Sequence, residues 1–501
     1  MEGQTNLHAS GNDWIALHNE GVELFNAGRP AEAEERFRRV AELRPDTPSV
    51  WHTLGSIRRM LGRLNDAYAA FLEGLRRDGG NRDLLLGVGQ VLIDGGRPQD
   101  ALPHLQRLVA QRFDHPGAML ALGNAFMGVD TPELAAAAYR LVVLLEPDSA
   151  TATNNLGAAL MSQLRMEDAA RIYRRAIRLA PSSPEYHKNL GCCLLMAGEF
   201  AEGWREYEWR HEQPVWRWKR SFPGKQPWSG EPLAGKTILV HFEQGLGDSF
   251  QLARCMRVLK GMGARVVFEC QPQLKRVLSC VEGIDVLVGH GEPLPDFDLY
   301  VPLFSVPRWL GVTAETVPGG VPYIRPEPEL VAKWRARMDL GEFRVGVNWE
   351  ANGPERSIPL ELFERMAGIP GVRLYSLQKV KGLEQLERLR DRLGIVDWTA
   401  EMDAGPDGFV DTAAVMANMD LVISCDTAVN HLSGALGLRT FLVLRHLGDW
   451  RWIRPERLDT PWYPTMRLFR MARRNDWAEV MGRVTDEVAR LAAEEKPAAG
   501  R

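Results

Sequence analysis

Two short segments in the second half of the chain have residue types suited to binding and activating a charged ligand. In the first segment, Gly245 and Gly247 precede Asp248, directly after a run typical of a β-strand. The glycines allow a ligand to approach the backbone closely. Asp248 falls where a helix is expected to begin, so its carboxylate either caps that helix or serves as a general base.

The second segment runs from Cys425 to Gly437 and follows another apolar run, typical of a buried strand. A strand that continues through Asp-Thr-Ala into a helix of small residues directs backbone N–H groups at an anion, as in many diphosphate sites. An ordinary helix cap without a ligand is the alternative. His431 lies one turn beyond Thr427 on the same side of that helix. The candidate binding residues are Asp426, Thr427, Ala428, Val429 and His431.

Two basic side chains are candidates to neutralise such an anion without a metal ion. Arg356 belongs to the loop 350–357, and Lys379 follows a predicted strand at 372–377. Positive charge beside a helix N-terminus stabilises a departing phosphate group. We therefore expect neither a metal nor a cofactor beyond the substrate itself.

The elements that position these residues are expected to form two α/β lobes. Short runs rich in β-branched residues alternate with helical segments, and this order predicts parallel sheets. The predicted strands are 236–241, 265–269, 285–288, 298–301, 344–349, 372–377 and 421–424. The predicted helices are 250–262, 272–280, 329–338, 360–367 and 411–417. We place an N-terminal lobe at 236–340 and a C-terminal lobe at 341–501.

The two chemical segments also resemble a known family. Gly-Leu-Gly-Asp at 245–248 and Cys-Asp-Thr-Ala-Val-Asn-His-Leu-Ser-Gly-Ala-Leu-Gly at 425–437 resemble motifs of the heptosyltransferase-type (family 9) glycosyltransferases, which have the GT-B fold. Asp-Trp-Arg-Trp at 449–452 and Thr-Pro-Trp-Tyr-Pro at 460–464 are similar to segments of bacterial members that carry tetratricopeptide (TPR) repeats. The resemblance covers about residues 236–490.

The resemblance implies a role for each matching residue. Asp248 corresponds to the proposed general base that deprotonates the acceptor, and His431 to a conserved histidine beside the donor diphosphate. The backbone of 427–429 corresponds to the clamp on that diphosphate, and Arg356 lies near a basic residue that neutralises it. Ala428 replaces the usual glycine, and the loop 350–357 is short with few basic residues. An inactive domain that serves as a scaffold is therefore an open alternative.

The first part of the chain repeats with a period of 34 residues. A glycine recurs at this spacing, with a small residue twelve positions later and an aromatic residue or leucine four positions after that. The glycines are Gly21, Gly55, Gly89, Gly123, Gly157 and Gly191. This pattern resembles the TPR, a pair of helices, and predicts an all-α superhelix of six repeats over 13–215. We expect the small residues where the paired helices cross, and the aromatic residue in the gap to the next pair.

Three asparagines share one position in the first helix of their repeats: Asn19, Asn155 and Asn189. Because the first helices line the concave groove of such a superhelix, these side chains are candidates to hydrogen-bond an extended acceptor peptide. The arrangement resembles the asparagine ladder of the O-GlcNAc transferase superhelix, with other residues at half of the positions. Solvated polar residues on a helix face are the alternative.

A segment rich in tryptophan and proline follows the repeats, and we predict a linker at 216–235. The tryptophans of this region are Trp204, Trp209, Trp216, Trp218 and Trp228. We expect them to cover the end of the repeat array and to pack on the next domain, since the end of a solenoid must be covered. An aromatic ligand surface is the alternative.

Composition restricts the class and location of the protein. The formal net charge of −4 over 501 residues, with both signs interspersed, does not favour a nucleic-acid surface. The cysteines lack zinc-type spacing, the N-terminus lacks signal-peptide features, and no apolar run reaches the ~18 residues of a membrane span. We therefore expect a cytoplasmic protein. Asp296-Phe297-Asp298 has the pattern of metal-dependent glycosyltransferases, but it leads into a predicted strand and we assign it no metal.

Together, these patterns predict a multidomain protein with an all-α TPR superhelix followed by an α/β GT-B fold of two Rossmann-like lobes. The resemblance implies a base-assisted, metal-independent glycosyltransferase that moves a sugar from a nucleotide sugar to a protein acceptor held by the TPR array. Similar bacterial enzymes act on flagellin. Two alternatives stay open: a transferase acting on a lipopolysaccharide or small-glycan precursor, and a non-catalytic TPR adaptor with a vestigial glycosyltransferase domain.

Overall fold

The computed structural model describes residues 13–214, 216 and 220–495. The chain divides into two compact units, Met1–Tyr186 and His187–Arg501, and each is described on its own. The N-terminal residues 1–12, Trp218 of the predicted linker, and residues 496–501 of the predicted C-terminal lobe lie outside the described residues.

The first unit consists of helices that pack in consecutive pairs, as the 34-residue period predicts. Several of these helices begin with a proline, namely Pro30, Pro48, Pro98, Pro116 and Pro132. Proline suits this position because the first N–H groups of a helix have no partner within the helix, so the N–H that proline lacks is not missed. The helices are α1 (Asp13–Asn26), α2 (Pro30–Leu43), α3 (Pro48–Met60), α4 (Leu64–Arg77), α5 (Arg82–Asp94), α6 (Pro98–Gln111), α7 (Pro116–Gly128), α8 (Pro132–Leu145), α9 (Ala150–Ser162) and α10 (Met166–Leu179).

The recurring glycine makes room for the recurring aromatic residue of its own helix pair. A Cβ atom at Gly21 would lie 2.8 Å from the Phe37 ring, and one at Gly123 would lie 2.4 Å from the Tyr139 ring. The glycines therefore lie where paired helices approach closely, as predicted. The aromatic residue, however, fills space within its pair and not only between pairs, because its ring lies directly against the glycine.

The second unit begins within α11 (Pro184–Ala197) and continues with α12 (Phe200–Tyr207). The predicted sixth repeat thus exists as a helix pair but groups with the α/β part of the chain. Trp204 is buried, donates its indole N–H to the Val312 carbonyl at 3.2 Å, and contacts the Trp450 ring edge-on. Trp204 therefore packs on the following domain, in agreement with the expectation for this tryptophan.

The first sheet of the second unit is five-stranded and fully parallel, in the order β1-β5-β2-β3-β4. Its strands are β1 (Gln226–Pro227), β2 (Thr237–His241), β3 (Arg265–Cys270), β4 (Val286–Gly289) and β5 (Leu299–Pro302). Its helices are α13 (Leu246–Leu252), α14 (Cys255–Gly261), α15 (Lys275–Leu278) and α16 (Val306–Trp309). The predicted helix 250–262 is thus two helices, and the predicted linker 216–235 contributes the edge strand β1.

The second sheet is also five-stranded and parallel, in the order β10-β9-β8-β6-β7. Its strands are β6 (Phe343–Asn348), β7 (Val372–Ser376), β8 (Leu421–Ser424), β9 (Thr440–Leu444) and β10 (Met466–Arg470). The helices are α17 (Pro328–Arg335), α18 (Glu364–Ala367), α19 (Leu383–Leu393), α20 (Val410–Met416), α21 (Ala428–Ala435) and α22 (Trp477–Glu495). Strand residues such as Val345, Val347 and Ile423 are fully buried, because helices cover both faces of a parallel sheet.

The two parallel sheets are compatible with the predicted pair of α/β lobes. All seven predicted strands are present within two residues of their expected bounds, whereas β1, β9, β10, α16, α19 and α22 were not predicted. Among the helices that the structure describes, none is long and apolar enough to cross a membrane.

Candidate functional site

A cavity of about 680 Å³ lies within the second unit, at the carboxyl ends of strands from both sheets. Segments that follow β2, β6, β7, β8 and β9 line it. Ligands of open α/β sheets bind at this end of the strands. The predicted site residues on its wall are Gly245, Gly247, Asp248, Arg356, Lys379, Asp426, Thr427, Ala428, Val429 and His431.

Asp248 caps α13 and also forms an ion pair. Its Oδ2 accepts the backbone N–H of Gly245 at 2.7 Å, and its Oδ1 accepts Nη2 of Arg451 at 2.6 Å. Burial raises the pKa of Asp248 above its usual range, and Arg451 acts against that rise. Asp248 therefore caps the helix, which was one of the two roles predicted for it. Because a carboxylate has about four acceptor positions, these two bonds leave Asp248 able to accept a proton.

Gly247 has a role in packing that the sequence did not indicate. A Cβ atom there would lie 2.7 Å from Cδ2 of His431 and 3.3 Å from the Cα atom of Ala428. The glycine therefore allows α13 to approach α21 closely, which brings the two predicted segments together. Its role in packing is visible without a ligand.

Arg451 is a buried residue of the site that our sequence reasoning did not select. Its guanidinium spans three acceptors, since Nη1 donates to Asp449 at 2.6 Å and Nε to Gln251 at 3.0 Å, in addition to the Asp248 pair. The rings of Trp450 and Phe304 lie against it at 4.5 and 5.1 Å. The one available signal was an arginine between two tryptophans in the segment 449–452.

The start of α21 is capped by its own side chains. The Thr427 hydroxyl accepts the N–H of Val429 at 3.3 Å, and the Asn430 side chain accepts the N–H of Thr427 at 2.7 Å. Asn348, at the end of β6, accepts the Thr427 hydroxyl proton at 2.7 Å and fixes its orientation. Two of the three predicted clamp amides thus have intramolecular partners, because helix N-terminal N–H groups require acceptors.

His431 is held rigidly in its neutral form. Its Nδ1 shares a hydrogen bond of 3.0 Å with the Tyr463 hydroxyl, and its ring stacks on Trp452. Burial lowers the pKa of His431 well below its usual range, and Arg451 acts in the same direction. A neutral imidazole donates or accepts a hydrogen bond at Nε2 but brings no positive charge.

The basic and acidic side chains around α21 differ in their availability. Arg356 lines the cavity and donates to the Asn352 carbonyl, whereas the Lys379 ammonium is held by the carbonyls of Thr399 and Met402. Burial, and then the charge of Asp449, raises the pKa of Asp426 to about 6. Arg356 is therefore the better placed of the two predicted cations.

The predicted asparagines do not share one environment. Asn155 donates from Nδ2 to Asn124 at 3.1 Å, on an oxygen that also accepts the Tyr139 hydroxyl proton, while Asn19 is exposed. Asn189 belongs to the second unit. The first unit has a cavity of about 480 Å³ between α3 and α5, where Gly87 takes the asparagine position.

The Asp-x-Asp pattern has local contacts that account for both carboxylates. Asp296 pairs with Lys225 at 2.6 Å, and Asp298 accepts the backbone N–H of Thr237 at 2.7 Å. Across the described ranges, no group of three or more His, Cys, Asp or Glu side chains is arranged to hold a metal ion.

Comparison with known proteins identifies the repeats. A tetratricopeptide-repeat family model matches residues 18–82, 86–143, 120–184 and 154–204. The prediction of TPR repeats is therefore confirmed. Solved structures similar to the chain include MamA from Desulfovibrio magneticus RS-1, 23% identical over 35% of this chain and 99% of that one, with a TM-score of 0.33. YrrB, a TPR protein with an unusual peptide-binding site, is 24% identical over 34% of this chain and 88% of that one, with a TM-score of 0.30.

The similarity to a further relative extends beyond the repeats. Protein FlbA of Caulobacter vibrioides is 29% identical over 326 residues, which cover 60% of this chain and 54% of FlbA. The chain thus spans about half the length of this curated relative. Because 60% of the chain is longer than the segment up to Tyr207, the similarity includes part of the α/β region.

Proposed function

We propose that this protein is a metal-independent glycosyltransferase that moves a sugar from a nucleotide sugar to a protein bound by the TPR repeats. The observation that carries the proposal is the 680 Å³ cavity, whose wall contains both a buried carboxylate, Asp248, and the N-terminus of α21. A volume of this size suits a nucleotide sugar, since ligand sites commonly measure about 300–1,000 Å³.

The donor diphosphate belongs at the start of α21. The partial positive charge of a helix N-terminus stabilises the charge that develops on the leaving diphosphate, and Arg356 adds a full charge at the same wall. In the donor complex, we expect phosphate oxygens to replace the side-chain acceptors at the amides of Thr427 and Val429. Thr427 then keeps its anchor to Asn348.

Asp248 is the general base that acts on the acceptor hydroxyl. The acceptor hydroxyl oxygen bonds to the anomeric carbon while the bond from that carbon to the diphosphate oxygen breaks, and the electron pair leaves with the diphosphate. Asp248 takes the hydroxyl proton. Its raised pKa brings it closer to the value that suits a general base at neutral pH.

The TPR repeats support a protein acceptor over a small glycan. Such arrays provide an extended groove formed by their first helices, and the cavity between α3 and α5 is part of that surface. Flagellin is the first acceptor to test, because bacterial enzymes that the motifs of the α/β part resemble act on it.

A non-catalytic adaptor is the second candidate, and the charges of the cavity favour it. The carboxylates of Asp426 and Asp449 line the wall beside α21, where they repel a diphosphate, and Asp248 is already paired with Arg451. A domain that has lost its donor would show such intramolecular pairing. The TPR array would then be the only binding part.

Donor binding and turnover decide between these candidates. We would incubate the full-length protein with UDP-, ADP-, GDP- and CMP-sugars, with and without flagellin, and measure nucleotide release and sugar transfer. Asp248→Asn keeps the shape of the side chain and should lower transfer by about 10²–10⁴-fold. Asp285→Asn is the matched control, because Asp285 also accepts a backbone N–H and pairs with a cation but lies outside the cavity.

The outcomes separate the hypotheses. Undiminished transfer by the Asp248→Asn variant would reject Asp248 as the base. Neither binding nor release with any of the four donors would favour the adaptor. Ser56→Arg, which fills the cavity between α3 and α5, should reduce transfer to a protein and leave donor hydrolysis unchanged; equal transfer would favour a small-glycan acceptor.

A further inference from the structure

We propose that Arg451 is the positioning residue of the base: it reaches Asp248 from the opposite lobe and keeps that carboxylate charged and oriented for the acceptor. The inference rests on the proposed function, because it assigns Arg451 a task in a reaction that Asp248 assists. Arg451 acts through Asp248 and is not itself proposed to touch the substrate.

The contacts of Arg451 are those of a fixed support. Its Nη2 meets Asp248 Oδ1 at 2.6 Å, while Asp248 Oδ2 is fixed by the Gly245 amide at 2.7 Å. Both carboxylate oxygens therefore have one partner each, and the plane of the carboxylate is defined. The remaining acceptor positions of the two oxygens are not used by these bonds.

Arg451 is in turn held by groups from both lobes. Gln251 on α13 accepts from Nε, and Asp449 accepts from Nη1. The guanidinium is also enclosed by the Trp450 and Phe304 rings, and only 8% of Arg451 is exposed. The guanidinium group is planar and always charged, so it can donate to all three acceptors at once. A lysine ammonium would reach one acceptor well and the others poorly.

The pair has an electrostatic consequence for the reaction. Burial of Asp248 disfavours its charged form, and without the guanidinium the carboxylate would stay protonated to a higher pH. A protonated carboxyl group accepts no proton from the acceptor hydroxyl. Arg451 therefore extends the range in which the base works towards lower pH.

The titration of Asp248 must be distinguished from that of other groups near the Arg451–Asp248 pair. Asp449 acts on both Asp248 and Arg451, and the other titratable side chains interact with Arg451: Asp426, His431, Tyr207 and Cys192. His431 has a pKa well below its usual range, the pKa of Cys192 is raised to about 12, and that of Tyr207 is raised further from neutrality. Asp426, with a pKa raised to about 6, is the neighbour that titrates near the pH of interest.

The test is the pH profile of kcat/KM for transfer, measured on the full-length protein. Arg451→Gln should move the acid limb upwards by about 1–3 pH units, since an arginine beside an aspartate lowers its pKa by that amount. At a pH on the acid limb of both profiles this corresponds to a loss of about tenfold or more, with KM for the donor nearly unchanged. Arg451→Lys keeps a positive charge and should therefore move the acid limb less than Arg451→Gln does.

Two control variants make the profile specific. Arg344→Gln removes a partly buried pair, Arg344 with Asp420, that lies outside the cavity, and it should leave the acid limb in place. Asp426→Asn removes the other titrating group. If the acid limb moves in Asp426→Asn and not in Arg451→Gln, the profile belongs to Asp426 and the inference is wrong.

Further outcomes would also overturn the inference. A rise in donor KM for Arg451→Gln with an unmoved acid limb would show that Arg451 binds the diphosphate directly. A loss of rate that is equal at every pH would indicate a purely structural role.

A readout without activity separates this inference from the proposed function. The charged form of Asp248 loses its partner in Arg451→Gln, so that variant should lose more thermal stability relative to wild type at pH 8 than at pH 5. Adding Asp248→Asn should remove most of that difference. If the wild type transfers no sugar, the proposed function fails. If the unfolding temperatures show no such coupling, the inference fails whether or not the protein is active.

Discussion

Gly247→Ala tests whether the glycine after β2 serves a ligand or the packing of the site. The added methyl group would lie 2.7 Å from the His431 ring and 3.3 Å from the Ala428 backbone. Neither neighbour is free to retreat, because His431 is stacked on Trp452 and hydrogen-bonded to Tyr463, and Ala428 begins α21. The methyl group must therefore push α13 and α21 apart.

The size of the effect follows from two opposing terms. Replacing a helical glycine with alanine stabilises a helix by about 1 kcal/mol. Overpacking a tight contact destabilises by about 1–3 kcal/mol. We expect a net loss of about 1–2 kcal/mol in the free energy of unfolding. Gly261→Ala is the matched control: it lies in the neighbouring helix α14, its added Cβ would meet nothing within 4 Å, and it should be neutral or slightly stabilising.

The assay is thermal unfolding of the full-length variants, without and then with a bound nucleotide sugar. The unit that contains Gly247 spans His187–Arg501, so at about 2.1 cal/mol/K per residue a loss of about 1–2 kcal/mol lowers its Tm by roughly 1.5–3 °C. If Gly247→Ala unfolds like Gly261→Ala without ligand, and only ligand binding suffers, then the glycine serves ligand approach and the packing argument is refuted.

Three further changes have expected outcomes. Gly123→Ala places a methyl group 2.4 Å from the buried Tyr139 ring and should destabilise the repeats by about 1–3 kcal/mol, whereas Gly482→Ala, with open space around it, should not lower Tm. Trp204→Ala removes the packing on Trp450 and the bond to the Val312 carbonyl and should cost about 3–5 kcal/mol, measured by urea unfolding. The pKa of Asp426 is raised in the folded state, so its stability contribution is present below pH 4 and lost as pH rises through about 6. Asp426→Asn should therefore be more stable than wild type at pH 7.5 and not at pH 4; an equal difference at both values would contradict the shift.

Local patterns were sufficient for most of the fold. The 34-residue period located ten helices of the first unit, because each repeat needs a small residue opposite a large one at a fixed separation. The buried strands around Val345 and Ile423 were predictable from β-branched runs. The strand β9 (Thr440–Leu444) has the same signature, although it is not among the predicted strands.

The partners within the site had no local signature. Asp248 and Arg451 are 203 residues apart, and neither position carries a pattern that points to the other. The purpose of Gly247 depends on the same long-range approach, since the His431 ring that it accommodates belongs to the other lobe. Sequence motifs therefore selected residues that line one cavity, but they did not indicate which of those side chains hold each other.

The sixth helix pair links the repeat pattern to the candidate base. Tyr207 and Trp204 on α12 pack on the Trp450 ring, that ring lies 4.5 Å from the Arg451 guanidinium, and Arg451 holds Asp248. Although its sequence has the 34-residue period, this pair supports the α/β part of the molecule.

A truncation at residue 215 would remove Trp204 and Tyr207 and leave Trp450 without two of its ring neighbours, so it should weaken the Arg451 support as well as the repeats. A truncation at residue 186 keeps both rings. A lower unfolding temperature of the α/β part after the first truncation but not the second would therefore assign the sixth pair to the α/β unit, whereas equal unfolding temperatures would show that the α/β part does not depend on it.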